Sequence, residues 1–297
     1  MSSGKASIIP MTGGLDQLRM LAMGLHAYLI ANYAFSPFRP PPVLVYQMGK
    51  VASSTVCASL KASGLRNSVL HLHFLSRDLP NHIETHKRAG IHNIPYHLML
   101  SKAVREILLR SEDRLCKVIT LVRDPIAFVV SDIFQNPKFA KENIERTDGT
   151  ISVEKVNDYL RRELSEPDAI GYPDGWFDRE LKRVFGIDVF AEPFPKDLGF
   201  EVYKGKRVEV LLLRVEDLSS KGAEAISRFL GIRRPIDLKQ CNVRNSSNDS
   251  RQYESLLNTF SIDESMCRAI YSCRLVKHFY SEEMIDLFVS RWTKARA

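Results

Sequence analysis

The strongest chemical signal in the chain is a short loop after an apolar segment. Residues 43–55 read VLVYQMGKVASST, so Gly49 and Lys50 follow an apolar run and precede small hydroxyl residues. The candidate binding residues are Gly49, Lys50, Val51, Ala52, Ser53, Ser54 and Thr55. The first N–H groups of a helix are unpaired and form the positive end of its dipole, hydroxyl groups donate further hydrogen bonds, and lysine adds a charge. The loop predicts a phosphate-type anion site; the alternative is that the hydroxyl residues only cap a helix.

Two positions distinguish this loop from the P-loop that binds nucleoside triphosphates. That motif reads G-x-x-x-x-G-K-[ST], and its last residue binds magnesium. Here Leu44 stands at the first glycine position and Val51 at the hydroxyl position. A magnesium-dependent NTPase or kinase is therefore disfavoured, and a kinase-like phosphoryl transferase is kept as an alternative.

A second candidate anion site follows the apolar run KVITLV at residues 117–122. Arg123 comes directly after this run, and Ser131 stands eight residues later in a segment that begins with Pro125. Open α/β sheets bind ligands at the carboxyl ends of their strands. Arg123 and Ser131 can together hold a second phosphate. The alternative is a surface pair between Arg123 and Asp124.

Six of the eight histidines fall between positions 71 and 97. His71 and His73 alternate along an apolar run, so both are expected on one face of a strand. An imidazole with a pKa near 6.5 can take the proton of an attacking hydroxyl, which accelerates reactions by roughly 10²–10⁴-fold. The alternatives are buried core histidines, or a zinc site that adds His82, His86, His92 or His97.

The elements that would position these residues alternate between short strands and helices. Strands are predicted at 43–46, 69–75, 117–122 and 187–190, with a hairpin within 200–213. Helices are predicted at 20–35, 53–62, 98–110, 125–134, 176–185 and 216–230, followed by further helices up to 292. This order predicts an α/β fold, a parallel sheet flanked by helices with a helical C-terminal cap. We expect an N-terminal helix and proline-rich linker over 1–42 and the main domain over 43–297.

The N-terminal helix is apolar but short. Residues 20–35 carry no charge, and as a helix they would reach about 24 Å, less than the roughly 30 Å hydrocarbon core of a bilayer. The sequence therefore predicts a buried helix or a peripheral membrane contact through residues 15–36, and disfavours a membrane-spanning anchor.

Composition narrows the class of protein. With 44% hydrophobic and 26% charged residues, the chain is globular. Its net charge of +7 suits a protein that binds anions. We expect no nucleic acid partner, because the sequence contains none of the usual binding motifs. The five cysteines are odd in number and lack zinc-like spacing, which favours a reducing compartment. We therefore expect a cytoplasmic protein, at the inner face of the membrane if residues 15–36 touch lipid.

The chain resembles the sulfotransferase superfamily in three features that follow one another in the same order. They are K-x-x-S-S-T at 50–55, L-V-R-D-P at 121–125 and Ser131. The stretches WFDRELKRVFGIDVF, VLLLRVEDL and KHFYSEEMIDLFVSRW are similar to the bacterial capsular polysaccharide synthesis protein family. Gly49 departs from the commoner sulfotransferase loop, which has proline before the lysine. The resemblance implies a P-loop-like sulfotransferase fold and transfer of a sulfuryl group from 3′-phosphoadenosine 5′-phosphosulfate to a carbohydrate hydroxyl. A non-catalytic polysaccharide-binding assembly protein is the remaining alternative.

The resemblance also implies residue roles. Lys50 and the hydroxyl residues at 53–55 correspond to the loop that binds the 5′-phosphosulfate. Arg123 and Ser131 correspond to the site of the 3′-phosphate, and Arg244 would be a further contact of that phosphate. The H-L-H segment resembles the paired-histidine strand of uronyl 2-O-sulfotransferases, which favours His73 as base and His71 as its neighbour in acceptor binding. The expected product is 3′-phosphoadenosine 5′-phosphate, and no metal is required. Trp176, Asp178 and Glu180 are candidates for the acceptor cleft; the alternative is core packing, which is the commoner role of an aromatic residue at a helix start.

Overall fold

The computed structural model describes residues 13–88, 94–110, 113–132, 152–166, 168–238 and 257–293. Its sheet has five strands: β1 (Val43–Tyr46), β2 (Val69–Leu72), β3 (Cys116–Val122), β4 (Phe200–Lys204) and β5 (Val208–Arg214). Their order is β2-β1-β3-β5-β4. β2, β1, β3 and β5 run parallel, and β4 pairs antiparallel with β5 at the edge. The α/β prediction is confirmed, with one antiparallel edge strand formed by the predicted hairpin.

The two longest strands lie in the middle of the sheet. All residues of β3 except Lys117, and all residues of β5 except Glu209, are buried. Continuous burial of this kind is typical of strands that helices cover on both faces. The two exceptions are partners in the register, and Lys117 Nζ donates to Glu209 Oε2 at 2.5 Å. This ion pair fits the register in which β3 and β5 pair.

Helices surround the sheet. They are α1 (Gly13–Ala34), α2 (Ser53–Ala62), α3 (Leu79–Arg88), α4 (Tyr96–Arg110), α5 (Pro125–Asp132), α6 (Val153–Ser165), α7 (Gly171–Phe177), α8 (Arg183–Phe185), α9 (Ala223–Leu230), α10 (Glu264–Tyr271), α11 (Arg274–Phe279) and α12 (Glu282–Thr293). A π-helical turn (Asp178–Lys182) joins α7 to α8. A 3-10 turn (Val215–Asp217) and a π-helical turn (Leu218–Gly222) precede α9. The helix predicted over 53–62 is confirmed with its bounds.

Two predicted strands need correction. Residues 187–190 form a turn: Asp188 pairs with Lys182 at 2.6 Å and accepts a hydrogen bond from the Phe190 N–H at 3.0 Å. Ile187 and Val189 are nevertheless buried, so the apolar pattern reflected core packing without a strand. β2 ends at Leu72, three residues earlier than predicted, because the chain turns away from the sheet at His73.

The N-terminal helix packs against the domain. Ala27, Ala31 and Ala34 of α1 are fully buried in the same core cluster as the sheet, and the helix lies along α4. Alanine at these positions allows the two helices to approach closely. Among the helices of the described ranges, none combines the length and apolar character needed to cross a membrane.

Candidate functional site

The carboxyl ends of three neighbouring parallel strands bring the predicted residues together. β1 leads into the loop at Gly49 and Lys50, β2 leads into His73, and β3 leads into Arg123. Because β1 lies between β2 and β3 in the sheet, these segments meet at one edge, where α/β sheets bind ligands. The Arg123 Nη1 atom donates to the backbone oxygen of Lys50 at 2.6 Å, so the guanidinium group lies against the loop.

The loop has an unusual backbone. Lys50 and Ala52 have φ values of 64° and 59°, in the left-handed region that residues other than glycine seldom adopt. Such residues recur in functional loops and can turn successive N–H groups toward an anion. α2 begins at Ser53 with Ala52 as its N-cap, and the alanine side chain makes no capping hydrogen bond. Ser53, Ser54 and Thr55 therefore lie in the first turn of the helix and not at its N-cap position.

Lys50 has an acidic neighbour that the sequence did not predict. Its Nζ atom lies 4.0 Å from Asp132 Oδ1, and the lysine side chain is only 12% exposed. Burial raises the pKa of Asp132, and the positive charge of Lys50 opposes that rise. Asp132 ends α5, one residue after the predicted Ser131, which is half-buried. The carboxylate is therefore a nearby counter-charge for the lysine.

His73 is held in one tautomer. Its Nδ1 atom lies 2.8 Å from the backbone oxygen of Gln47. A carbonyl oxygen only accepts hydrogen bonds, so Nδ1 carries the proton and Nε2 carries the lone pair. Burial lowers the pKa of His73 below its usual 6.5, Lys50 lowers it further, and the Gln47 carbonyl opposes both. The imidazole is therefore neutral at pH 7, the form that can accept a proton.

Two further histidines surround His73. The ring of His71 lies 4.7 Å away and that of His97 5.3 Å away, centroid to centroid, so His71 and His73 share one side as predicted. Burial, followed by the two neighbouring histidines, lowers the pKa of His71 to about 4. Within the described part of the chain, no group of three or more His, Cys, Asp and Glu side chains is placed to hold a metal; His92 and the side chain of His86 lie outside it.

A cavity of about 470 Å³ opens beside these groups. Its lining includes Lys50, His73, His97, Asp132, Glu163 and Tyr172, together with Gly49 and apolar residues of α5 and α6. This volume lies within the roughly 300–1,000 Å³ of small-molecule sites. His71 is absent from this lining, so of the two predicted histidines it is His73 that is positioned to meet a ligand, with His97 beside it.

The predicted acceptor residues divide between different roles. Glu180 is 2% exposed and accepts hydrogen bonds from the N–H groups of Leu75 and Ser76 at 2.8 and 2.9 Å, from Ser76 Oγ, and from the Tyr46 hydroxyl. It therefore fixes the segment that follows His73. Asp178 pairs instead with Arg274. Trp176 is fully buried and contributes, with Glu180, to a second cavity.

Asp124 is an anchor and not half of a surface pair. It is 1% exposed, and its carboxylate accepts hydrogen bonds from the Tyr271 hydroxyl at 2.9 Å and the Trp292 indole at 2.8 Å. These bonds fasten the helical C-terminal cap to the carboxyl end of β3, next to Arg123. Arg244 lies outside the described residues.

Comparison with known proteins connects part of the chain to one family. Residues 150–281 match the model of the NKWYS family, described as "Putative capsular polysaccharide synthesis protein". The match confirms the predicted similarity over that segment, which is less than half of the chain. It includes Trp176 and Glu180 and begins after Lys50, His73 and Arg123. No curated protein and no solved structure matches the chain.

Proposed function

We propose that this protein transfers a sulfuryl group from 3′-phosphoadenosine 5′-phosphosulfate to a hydroxyl group of a carbohydrate. The proposal depends on one observation: Lys50, Arg123 and His73 lie at the same edge of the sheet. Two positively charged side chains and a neutral imidazole are therefore close together. The first two suit a donor with several negative charges, and the third suits an acceptor that must lose a proton.

The residues present fit such a donor. The left-handed loop conformation at Lys50 and Ala52 and the position of Ala52 as the N-cap of α2, where its side chain makes no capping hydrogen bond, suit the 5′-phosphosulfate group. The 4.0 Å separation between Lys50 and Asp132 is long for an ion pair, so a phosphosulfate can replace the carboxylate as partner of the lysine. Arg123 and Ser131 would hold the 3′-phosphate, with Arg244 as a further contact.

The chain's residues would divide the chemistry between base and charge stabilisation. The acceptor oxygen forms a bond to sulfur while the bond between sulfur and the bridging phosphate oxygen breaks, and the electron pair stays on that oxygen. His73 Nε2 receives the hydroxyl proton, and the Gln47 carbonyl holds the Nδ1 proton of the resulting imidazolium. Lys50 stabilises the charge that develops on the leaving phosphate. None of these roles requires a metal.

The test is sulfuryl transfer from the donor to a panel of glycans, followed as the mass gain of the acceptor. Lys50→Ala and Arg123→Ala should abolish turnover and weaken donor binding, because each removes a charge from the anion site. His73→Ala should slow turnover by about 10²–10⁴-fold with donor affinity nearly unchanged. Lys61→Ala is the matched control, since Lys61 lies at the far end of α2 and is exposed. Full activity of the Lys50 or Arg123 variant would overturn the proposal.

A carbohydrate acceptor is supported by the family description, which names capsular polysaccharide synthesis. The phosphoryl-transfer alternative receives little support, because Val51, at the position of the magnesium-binding hydroxyl, is fully buried. A non-catalytic polysaccharide-binding protein would bind glycans and show no transfer, so the same assay separates it from an enzyme.

We also propose that α1 contacts the cytoplasmic face of a membrane. Leu18, Leu21, Leu25 and Leu29 are 56–70% exposed, and their spacing places them on one helix face, opposite the buried alanines. Tyr28, Tyr33 and Phe38 are also exposed, and aromatic residues favour the lipid interface. Arg19 and Arg39 flank the uncharged residues 20–38, which suits anionic lipid.

Co-sedimentation with vesicles of phosphatidylglycerol and phosphatidylcholine tests this contact. The wild-type chain should sediment with the vesicles, and a Leu21→Asp/Leu25→Asp variant should stay in solution. Leu109→Asp is the control, because Leu109 is 65% exposed on α4. Equal behaviour of both variants would overturn the contact, and self-association without vesicle binding would assign the face to a second copy of the chain.

A further inference from the structure

A second cavity of about 460 Å³ lies beside the first. Phe74 and Tyr172 line both cavities, so they form the wall between them. The second cavity is also lined by Asp78, Asn81, His82, Asp168, Trp176 and Arg179, together with Gly171 and Glu180. A ligand that occupies both cavities would therefore lie across Phe74 and Tyr172.

The polar groups of this second cavity differ in their availability. Glu180 is occupied by the hydrogen bonds that fix residues 75 and 76. Arg179 donates to the Tyr172 backbone oxygen at 2.7 Å and lies over the Tyr172 ring at 5.5 Å. Asp78 and Asp168 remain as the carboxylates that can accept hydrogen bonds from a ligand. The described residues that line the second cavity therefore carry a net negative charge.

The lining of the second cavity includes a stacked pair of rings. The ring of Phe74 stacks on that of His82, with 3.9 Å between centroids and 24° between planes. Aromatic faces pack well against the C–H faces of ligands, and a few carboxylates or amides then fix their orientation. Vicinal hydroxyl groups match carboxylate acceptors, because each hydroxyl donates a hydrogen bond and carries no charge.

We infer that the second cavity binds the sugar adjacent to the one that is modified, and that this sugar is hydroxyl-rich and uncharged. A uronate would place its carboxylate beside Asp78 and Asp168, where like charges repel. The inference rests on the proposed function only for what occupies the first cavity. It adds a specificity that the net charge of +7 does not suggest.

Calorimetry with defined hexasaccharides tests the inference. The probes are cellohexaose, maltohexaose and hexagalacturonate, each titrated with and without 3′-phosphoadenosine 5′-phosphate. At least one neutral hexasaccharide should bind. Hexagalacturonate should bind at least about tenfold more weakly than that sugar. Asp78→Asn and Asp168→Asn should each weaken neutral binding by about fivefold, through loss of a charged acceptor, and narrow the difference from hexagalacturonate. Asp237→Asn, at an exposed position of the loop that follows α9, should change neither affinity.

Three results would overturn the inference: tighter binding of hexagalacturonate than of the neutral sugars, no binding of any hexasaccharide, or Asp78 and Asp168 variants that behave like the Asp237 control. Failure of the proposed function looks different. In that case the neutral sugar binds with the expected variant effects, and 3′-phosphoadenosine 5′-phosphate does not bind.

Discussion

Replacing Glu216 by glutamine should change how stability depends on pH. Glu216 follows β5, and its carboxylate accepts hydrogen bonds from the Asp124 N–H at 2.9 Å and the Tyr280 hydroxyl at 3.1 Å. Burial raises the pKa of Glu216 from its usual 4.5 to about 7, and the nearby charge of Asp124 adds to the rise. Glutamine keeps the shape of the side chain, one acceptor oxygen and the possibility of a bond to Tyr280, but it does not ionise.

The sign and size of the effect follow from these values. Because the folded protein binds the Glu216 proton more tightly than the unfolded chain does, the stabilisation is complete below about pH 4.5. It is lost as the pH rises through 7. A rise of the pKa from 4.5 to about 7 corresponds to a decrease of about 3 kcal/mol in the free energy of unfolding at high pH, at roughly 1.4 kcal/mol per pKa unit. Glu216→Gln should lack this loss.

Urea unfolding between about pH 5 and pH 8 measures this difference. The free energy of unfolding of the wild-type chain should fall relative to that of Glu216→Gln by a few kcal/mol across this range. Glu224→Gln, which removes the same charge at an exposed position of α9, should follow the wild type. Parallel curves for the wild type and Glu216→Gln would refute the reasoning, because they would show that the Glu216 carboxyl does not titrate differently on folding.

Three further predictions concern the site and its supports. Glu180→Gln should lower the free energy of unfolding by about 2–4 kcal/mol in urea, because the buried carboxylate accepts four hydrogen bonds; the exposed Glu166→Gln should change it by less than about 0.5 kcal/mol. Trp292→Phe should cost about 1–3 kcal/mol, measured in the same way, since it leaves a buried Asp124 oxygen without its indole donor. The pH at which the turnover rate is half-maximal should lie below 6.5, because burial lowers the pKa of His73 from its usual value; a half-maximal rate above pH 6.5 would contradict His73 as base.

Local features of the fold were predictable from the sequence, and long-range contacts were not. The loop at Lys50 and the bounds of α2 follow from neighbouring residues: an apolar strand, a glycine and lysine, and hydroxyl residues at a helix start. The alternation of His71 and His73 similarly predicted their shared side, which the ring separation of 4.7 Å confirms. In each case the information lies within about ten residues.

The supports of the site depend on residues far apart in the chain. Glu180 accepts a hydrogen bond from Tyr46, which lies 134 residues away in the chain. In the sequence, Glu180 cannot be distinguished from a glutamate on the exposed face of a helix. Asp132 gave no signal of its own, because its approach to Lys50 depends on how α5 packs. The tautomer of His73 is set by the Gln47 carbonyl, and a backbone acceptor leaves no mark in the sequence. At residues 187–190, burial without sheet pairing produced a strand-like pattern.

Magnesium-free calorimetry with 3′-phosphoadenosine 5′-phosphate is the most direct test of a sulfuryl donor at the β1–α2 loop. The wild-type chain should bind this nucleotide without a divalent ion, and Lys50→Ala and Arg123→Ala should weaken binding by about tenfold or more each, through loss of a charged contact. His73→Ala and Lys61→Ala should bind it like the wild type. Absence of binding to this nucleotide, together with magnesium-dependent binding of ATP, would contradict the account.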